Sequence, residues 1–365
     1  MPTITSTSGT WTHDGSVTVS GSGFGTKATA APVVWDNCNH GQSLATRWDG
    51  GWPSANATYN LDYRVEQRSI AMPHSRTTKY LAGCHYGTGG ADAGFNVMGW
   101  KNRTLGAFPQ FCLMSFRFRG DDGWDFTCGS PCDDNLKHFD YSTGTSPYDP
   151  SNWYISKSGE PHPWTPSTGL QFTINDDGAS LENPDQNAHN FFWNSAVNDF
   201  AGAWSHIIIF NRYTDLTTGR IVAYENNLGS AAVNYIGKTD LYTGTARNEA
   251  FGGYARNQTG ATQWRYFCDV YLDDTWACVF LGNASTSGAC TAFEMQIPTA
   301  WADGSITVTA NLGAFGNNDT AWLYVLDSNG SANANGFEVL LGSGGGVISE
   351  RIVSFGGNRV RVRLT

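Results

Sequence analysis

The side chains best suited to chemistry fall in a few short stretches. Tyr63-Arg-Val-Glu-Gln-Arg68 alternates Arg64, Glu66 and Arg68, so a strand sets all three on one face. Guanidiniums there could neutralise a substrate carboxylate while a histidine such as His189 takes the proton beside it. The plainer reading is a solvated ladder of salt bridges. The histidines stand at 13, 40, 74, 85, 138, 162, 189 and 206, with no i, i+2 or i, i+4 pairing of the kind zinc uses. Singly placed histidines are more often structural than catalytic, although His189 and His206 are expected near one concave sheet. Asp121, Asp122, Asp176 and Asp177 lie in Asp-Asp-Gly turns. They read first as turn formers and second as calcium ligands, since calcium takes hard oxygen donors. Trp48, Trp52, Trp153 and Trp164 sit among Gly, Pro and Ser. Flat aromatic faces in loops stack on sugar rings while Asn and Asp read hydroxyls, or else they pack beneath the loops. Paired carboxylates spaced E-x-D-x-x-E, a G-x-S-x-G elbow, a P-loop and a dinucleotide fingerprint are all missing from the sequence.

The elements that must position these residues are strands. Of 365 residues only 15% are charged, 13% are aromatic and 43 are glycine. Without runs of Ala, Leu, Glu and Lys there is little to build long helices, and the composition favours short strands joined by polar turns. A formal net charge of −10 excludes a general nucleic-acid binder, which needs a basic face to displace counterions. No run of eighteen apolar residues occurs, so no membrane insertion is expected. MPTITSTSGTW lacks the charged and apolar regions of a secretory signal. Either a signal is absent from this sequence or the protein leaves its cell without one, as a virus particle released by lysis does.

The 8 cysteines are too sparse for a disulfide scaffold, and most are expected to be buried thiols. Cys128-Gly-Ser-Pro-Cys132 is C-x3-C and suits a local bridge better than zinc. Arg265–Leu272 and Thr275–Leu281 alternate like two arms of a hairpin turning at Asp273-Asp274. That register puts Cys268 one position away from Cys278, on opposite faces, so no bridge joins them. Cys278 could instead pair with Cys290 across the Gly282–Gly288 loop.

Several stretches resemble known folds. Phe111-Cys-Leu-Met-Ser-Phe-Arg-Phe-Arg119, Asn135-Leu-Lys-His-Phe139, Gly202-Ala-Trp-Ser-His-Ile-Ile-Ile-Phe210, Gly219-Arg-Ile-Val-Ala-Tyr224 and the 265–281 stretch resemble, in order, strands of concanavalin-like (laminin-G-like) jelly rolls. Gly15-Ser-Val-Thr-Val-Ser-Gly-Ser-Gly-Phe-Gly25 resembles the opening of IPT/TIG immunoglobulin-like domains, and the stretch from Phe293 to Leu340 resembles their later strands. The resemblance implies an all-β chain: a concanavalin-like jelly-roll sandwich, residues 33–290, inserted in a discontinuous Ig-like β-sandwich of residues 1–32 and 291–342. Residues 343–365 follow as a linker and strand pair, with Arg359, Arg361 and Arg363 on one strand face.

Jelly rolls of this kind include polysaccharide lyases and glucanases. Arg64, Glu66 and Arg68 weakly resemble the R-x-E-x-R strand of alginate lyases, but the Q-I-H and Y-F-K-x-G strands of those enzymes are not found. The expected function is therefore a non-enzymatic binding or structural protein of a particle or cell surface. A bacteriophage virion decoration, fibre or adhesin protein is the form expected. Its partners would be glycans or other virion and surface proteins, with repeated or homo-oligomeric subunits and calcium as the one cofactor considered. A secreted lyase acting by β-elimination on a uronate polymer is the alternative, with Arg64, Glu66, Arg68 and His189 as its site. A calcium-dependent, lectin-like bacterial adhesin is a third.

Overall fold

The computed structural model describes residues 1–39, 48–50, 62–64, 70–85, 98–100, 111–122, 135–142, 151–157, 170–175, 188–192, 202–212, 219–237, 248–256, 263–342, 349–355 and 358–364. The chain is all-β. It opens with β1 (Thr3–Gly9) and β2 (Ser16–Ser22). The middle holds β3 (Val34–Asp36), β4 (Trp48–Gly50), β5 (Asp62–Arg64), β6 (Tyr80–His85), β7 (Met98–Trp100) and β8 (Phe111–Gly120). It continues through β9 (Asn135–Ser142), β10 (Ser151–Lys157), β11 (Leu170–Asn175), β12 (Ala188–Phe192), β13 (Ser205–Arg212) and β14 (Gly219–Glu225). Then come β15 (Val233–Gly237), β16 (Asn248–Arg256), β17 (Gln263–Asp273), β18 (Cys278–Gly282), β19 (Phe293–Met295) and β20 (Ile297–Ala302). The last are β21 (Ser305–Thr309), β22 (Thr320–Leu326), β23 (Phe337–Leu340), β24 (Ser349–Phe355) and β25 (Asn358–Leu364).

Two compact units divide the chain. The first combines residues 1–32, 227–229 and 275–365. It holds a sheet ordered β1-β2-β21-β20, another ordered β19-β18-β22-β23, and the pair β24-β25. The N-terminal strands thus pair with strands almost three hundred residues away: Val17 faces Val308 and Val19 faces Ile306. Alternation explains the packing. Val17, Val19, Ile306 and Val308 from one sheet meet Val279, Leu281, Leu323 and Val325 from the other in a single core, with Trp11 and Phe24 fully buried in it. A buried polar knot lies beside that core. Asn311 N donates to Gln296 Oε1 at 3.0 Å, and Ala314 N donates to Glu294 Oε1 at 2.8 Å. Gly313, at φ 46°, lets the chain pass so close to the Glu294 carboxylate that a Cβ would collide with it.

The second unit, residues 33–226 and 230–274, carries two larger antiparallel sheets. One has seven strands in the order β12-β11-β10-β9-β16-β7-β4. The other has eight, ordered β15-β14-β13-β8-β17-β6-β5, with β3 also paired to β17. Within the unit, β16 of the first sheet lies near β6 and β17 of the second. The central strands β8, β13 and β17 are buried on both faces, so β8 buries Leu113, Met114, Phe116 and Phe118 together with the polar Ser115 and Arg117.

The hairpin expected across Asp273-Asp274 does not form. Both edges of β17 are occupied, by β8 on one side and by β6 and β3 on the other. β18 pairs with β19 and β22, so the chain leaves the second unit at Asp274. Asp273 Oδ1 accepts the Asp274 backbone N–H at 2.9 Å and Thr275 Oγ1 accepts that of Ala277 at 3.1 Å, local bonds that bend the chain without pairing its two arms. Residues 275–290 accordingly group with the strands after 291, and not with the inserted unit. Cys38, Cys112, Cys268, Cys278 and Cys290 are buried thiols, with no bridge from Cys278 to Cys268 or to Cys290. Cys290 Sγ instead lies 3.5 Å from the Thr286 carbonyl oxygen and 3.8 Å from that of Ala284. Cys128 and Cys132 lie outside the described residues.

Candidate active site

Each large sheet of the second unit gathers polar residues on one face. In the eight-stranded sheet the gathering is a buried network centred on Asp269. A bulge sets it there: on β8 the step from Arg117 to Ser115 spans two residues, whereas opposite it β17 steps three, from Cys268 to Tyr271. Asp269 occupies the bulge at φ 51°, and bulges re-aim side chains in this way. His74 Nε2 lies 2.9 Å from Asp269 Oδ2. Thr77 Oγ1 donates to Asp269 Oδ1 at 3.1 Å, and Arg117 Nε sits 3.2 Å from Oδ2. Burial alone would raise the Asp269 pKa, but the His74 hydrogen bond and charge, Arg117 and Thr77 outweigh it and hold the carboxyl below its usual range. Next to it on the same face, Ser115 Oγ and His206 Nε2 share a 2.8 Å hydrogen bond. Ser115 is 0% exposed and His206 6%, so this Ser–His pair is closed to a polymer and reads as structural.

The seven-stranded sheet is organised differently, and its register decides which residues share a face. One row across the sheet reads Phe251, Phe139, Ile155, Phe172, Phe191 from β16 to β12. Beside it on that face runs Glu249, Tyr141, Trp153, Ile174, His189. The opposite face carries Tyr254, Lys137, Ser156, Gln171, Phe192 in one row and Ala250, Asp140, Tyr154, Thr173, Asn190 in the next; the register shifts on both edges of β9 between Phe139 and Lys137, which places Lys137 across the sheet from Phe139 although the two are two positions apart. Arg256 and Asn135 continue it by two positions. Neighbouring strands lie about 4.8 Å apart and residues two apart along a strand about 6.8 Å, so a patch of two rows matches the scale of one or two sugar rings. One face is thus chiefly apolar, and the other brings together two tyrosines, two cations, amides, hydroxyls and a carboxylate.

The residues singled out from the sequence are scattered by this topology. Arg64 lies on β5 at an edge of the eight-stranded sheet, and His189 lies on β12 at an edge of the seven-stranded sheet. His189 also shares the apolar face, one position from Asn190 on the polar one. His206 belongs to the eight-stranded sheet, so it does not join His189 on one sheet as expected. Trp48 pairs with Trp100 on β4 and β7, and Trp153 pairs with Tyr141 and Ile174; these two tryptophans are in strands, not in loops. Glu66, Arg68, Trp52, Trp164, Asp176 and Asp177 lie outside the described residues.

Asp121 and Asp122 are engaged in structural bonds. Asp121 Oδ2 accepts the Trp264 backbone N–H at 2.8 Å and Oδ1 accepts the Tyr266 hydroxyl. Asp122 Oδ1 accepts Arg119 Nη2 at 2.6 Å. Among the described residues no group of three or more His, Cys, Asp and Glu side chains is placed to hold a metal ion. The residues that sequence reasoning passed over as site residues are Lys137, Tyr154, Gln171, Asn190, Tyr254 and Arg256. Asn135-Leu-Lys-His-Phe139 was legible as a strand, but only the cross-strand register shows that Lys137 stands opposite Tyr254.

Similar folds occur among solved structures. An endo-β-1,4-glucuronan lyase from the fungus Trichoderma reesei matches at 14% identity over 67% of this chain and 97% of its own, with a TM-score of 0.47. Alginate lyase AlyC3 in complex with dimannuronate matches at 9% identity over 67% of this chain and 95% of its own, TM-score 0.41. The catalytic domain of a glycoside hydrolase family 131 protein from Coprinopsis cinerea matches at 11% identity over 64% and 86%, TM-score 0.37. No family model matches the sequence, and no curated protein does. At these identities the likeness is one of fold. It nevertheless corrects the expectation of a non-enzymatic bacteriophage decoration, fibre or adhesin protein: the folds matched here are those of two polysaccharide lyases and a glycoside hydrolase domain.

Proposed function

We propose that the second unit is a polysaccharide lyase that cleaves a uronate polymer by β-elimination, with the polar face of the seven-stranded sheet as its site. The observation that carries this reading is the register that sets Tyr254 directly opposite Lys137, with Gln171, Tyr154 and Asn190 on the same face within two rows. β-Elimination needs those residue types. The uronate carboxylate must be neutralised so that the proton on C5 becomes acidic, a task for Lys137, Arg256 and the amides of Gln171 or Asn190. A base removes that proton, the C4–O glycosidic bond breaks, a C4–C5 double bond forms, and an acid protonates the departing oxygen. Tyr254 is the base, and Tyr154 or Tyr254 supplies the returning proton. No water is consumed, which distinguishes the products from those of hydrolysis. A polymeric acidic substrate fits an extracellular setting. We further infer that the first unit is the Ig-like host into which the catalytic unit is inserted.

The test is release of unsaturated uronate, followed by ultraviolet absorbance, from glucuronan, alginate and related polymers. The full chain is expected to produce it from at least one polymer and Tyr254→Phe to lose it. A folded protein inert on all of them, or a fully active Tyr254→Phe, overturns the reading.

A further inference from the structure

The end of the chain sorts its charge by register. β24 and β25 form a sheet of their own, and among the described residues no third strand joins it. They pair antiparallel, with Ser354 opposite Arg359, Ile352 opposite Arg361 and Glu350 opposite Arg363. Directly opposite residues share a face, so Arg359, Arg361 and Arg363 stand in one row, with Glu350 as the single acid of the hairpin on that face. The alternate positions Val360, Val362 and Leu364 share the other face with Val353 and Phe355. In a chain of formal net charge −10, residues 349–364 hold four arginines and one acid. The lyase chemistry uses none of them.

We propose that the row Arg359, Arg361, Arg363 is a binding site for a carboxylated polysaccharide, separate from the catalytic face. The repeat fits such a ligand. Alternate residues of a strand lie about 6.8 Å apart, so the row spans about 14 Å, the length of a few sugar rings. A uronate polymer carries one carboxylate per ring, so a line of anions meets a line of cations. The residue type fits as well. The planar guanidinium takes a carboxylate through two parallel hydrogen bonds and is weakly hydrated, whereas a lysine offers a strongly hydrated point charge. Like charges along one strand repel, and one glutamate does not offset three guanidiniums, so an anionic ligand relieves the row. A lone two-stranded ribbon is marginal in water, and a ligand that binds its paired form steadies it.

The identity of the polymer rests on the lyase reading: this site would hold the chain that the catalytic face cleaves. The site itself does not rest on it, because the hairpin belongs to the first unit and the catalytic face to the second. Two sites on one polypeptide raise the effective concentration of polymer at each, so the arginine row keeps a long substrate at the protein between cleavages.

The experiment is electrophoresis of the full chain through native gels holding alginate, glucuronan, a neutral β-glucan or duplex DNA. The uronate gels are expected to retard the parent and Tyr254→Phe alike, and the neutral gel to retard neither. The triple variant Arg359→Gln, Arg361→Gln, Arg363→Gln should bind the polyuronates about tenfold more weakly. Equal retardation of parent and triple variant overturns the proposal, as does stronger retention by DNA than by either polyuronate. A changed oligomeric mass in the triple variant with its retardation unaltered assigns the row to a second copy, and overturns it too. Hydrogen exchange of the parent needs no variant: amides of residues 349–364 should slow when alginate or glucuronan is added, and unchanged exchange there sinks the proposal even if the triple variant fails to fold. Binding without release of unsaturated uronate removes the lyase reading and leaves this site, whereas product formation with unaltered retardation in the triple variant does the reverse.

Discussion

The two large sheets of the second unit spend their polar residues in opposite ways. Against the eight-stranded sheet Arg117, His74 and Thr77 gather on the Asp269 carboxylate in the interior, and Ser115 and His206 bond to each other beside them. Groups so engaged fix a structure and have little left for a substrate. In the seven-stranded sheet the register sets Tyr254, Lys137, Gln171, Tyr154 and Asn190 in rows on one face and Phe139, Ile155, Phe172, Phe191 and Phe251 on the other. A sandwich buries its apolar faces, which leaves a polar face to meet a ligand. Residues of similar types therefore have different prospects, and the distinction comes from topology more than from composition.

The sharpest way to break this comparison is at Tyr254. Removing its hydroxyl as Tyr254→Phe is expected to lower kcat/KM for the uronate polymer about 10²–10⁴-fold with an unchanged melting temperature. Lys137→Met is expected to act on the same quantity, raising KM as well as lowering kcat, because it withdraws charge from the bound carboxylate as well as from the transition state. Steady-state kinetics on both variants check this.

Asp269→Asn probes the other sheet and is expected to cost stability instead of activity. Asparagine tolerates the left-handed backbone at this position, so the substitution isolates the charge. It leaves Arg117 buried without its counter-ion, a loss of about 3–5 kcal/mol by denaturant unfolding, while kcat/KM of the folded fraction stays near that of the parent.

A smaller effect of the same kind follows from pH. The Asp269 carboxyl has a folded pKa below its unfolded value of about 3.8. The unfolded chain binds its proton first, so the contribution is complete above the unfolded value and disappears as pH falls through the folded one. Acid titration of the melting temperature should show this fall in the parent chain and a shallower one in Asp269→Asn. The smallest change is expected from Arg64→Ala and His189→Ala, which lie off the polar face and should leave kcat/KM near the parent value in the same polymer assay.

Much of the architecture was legible because its causes are local. Val17 and Val19, Ile306 and Val308, and Leu323 and Val325 alternate in sequence and occupy the core of the first unit as that alternation requires. The hairpin at Asp273-Asp274 was misread for a non-local reason. Two adjacent strand-like runs suggest a hairpin unless their edges are already taken, and the partners that take them, β8, β6, β3, β19 and β22, come from distant parts of the chain. The site was the least legible part. Arg64, Glu66 and Arg68 stood out because alternation within one strand is visible in a sequence. The row from Tyr254 to Gln171 draws one residue from each of four strands, and no spacing along the chain announces it.

The bulge in β17 has a consequence for how that strand tolerates change. Before it, Phe267 shares a face with Phe118 while Cys268 shares the other with Arg117; after it, Leu272 shares the first with Met114 and Tyr271 the second with Ser115. Odd and even positions exchange roles at Asp269-Val270, so the strand is written in two phases separated by one extra residue. Replacing a side chain within either phase alters one contact. Losing Asp269 or Val270 would turn the bulge into a regular step: Tyr271 would still face Ser115 and Leu272 still face Met114, but the extra residue that carries a carboxylate to His74, Thr77 and Arg117 would be gone. In this strand the extra residue serves the buried charge and not the pairing, so a shortened descendant would keep its neighbours on β8 and lose the place where that charge is held.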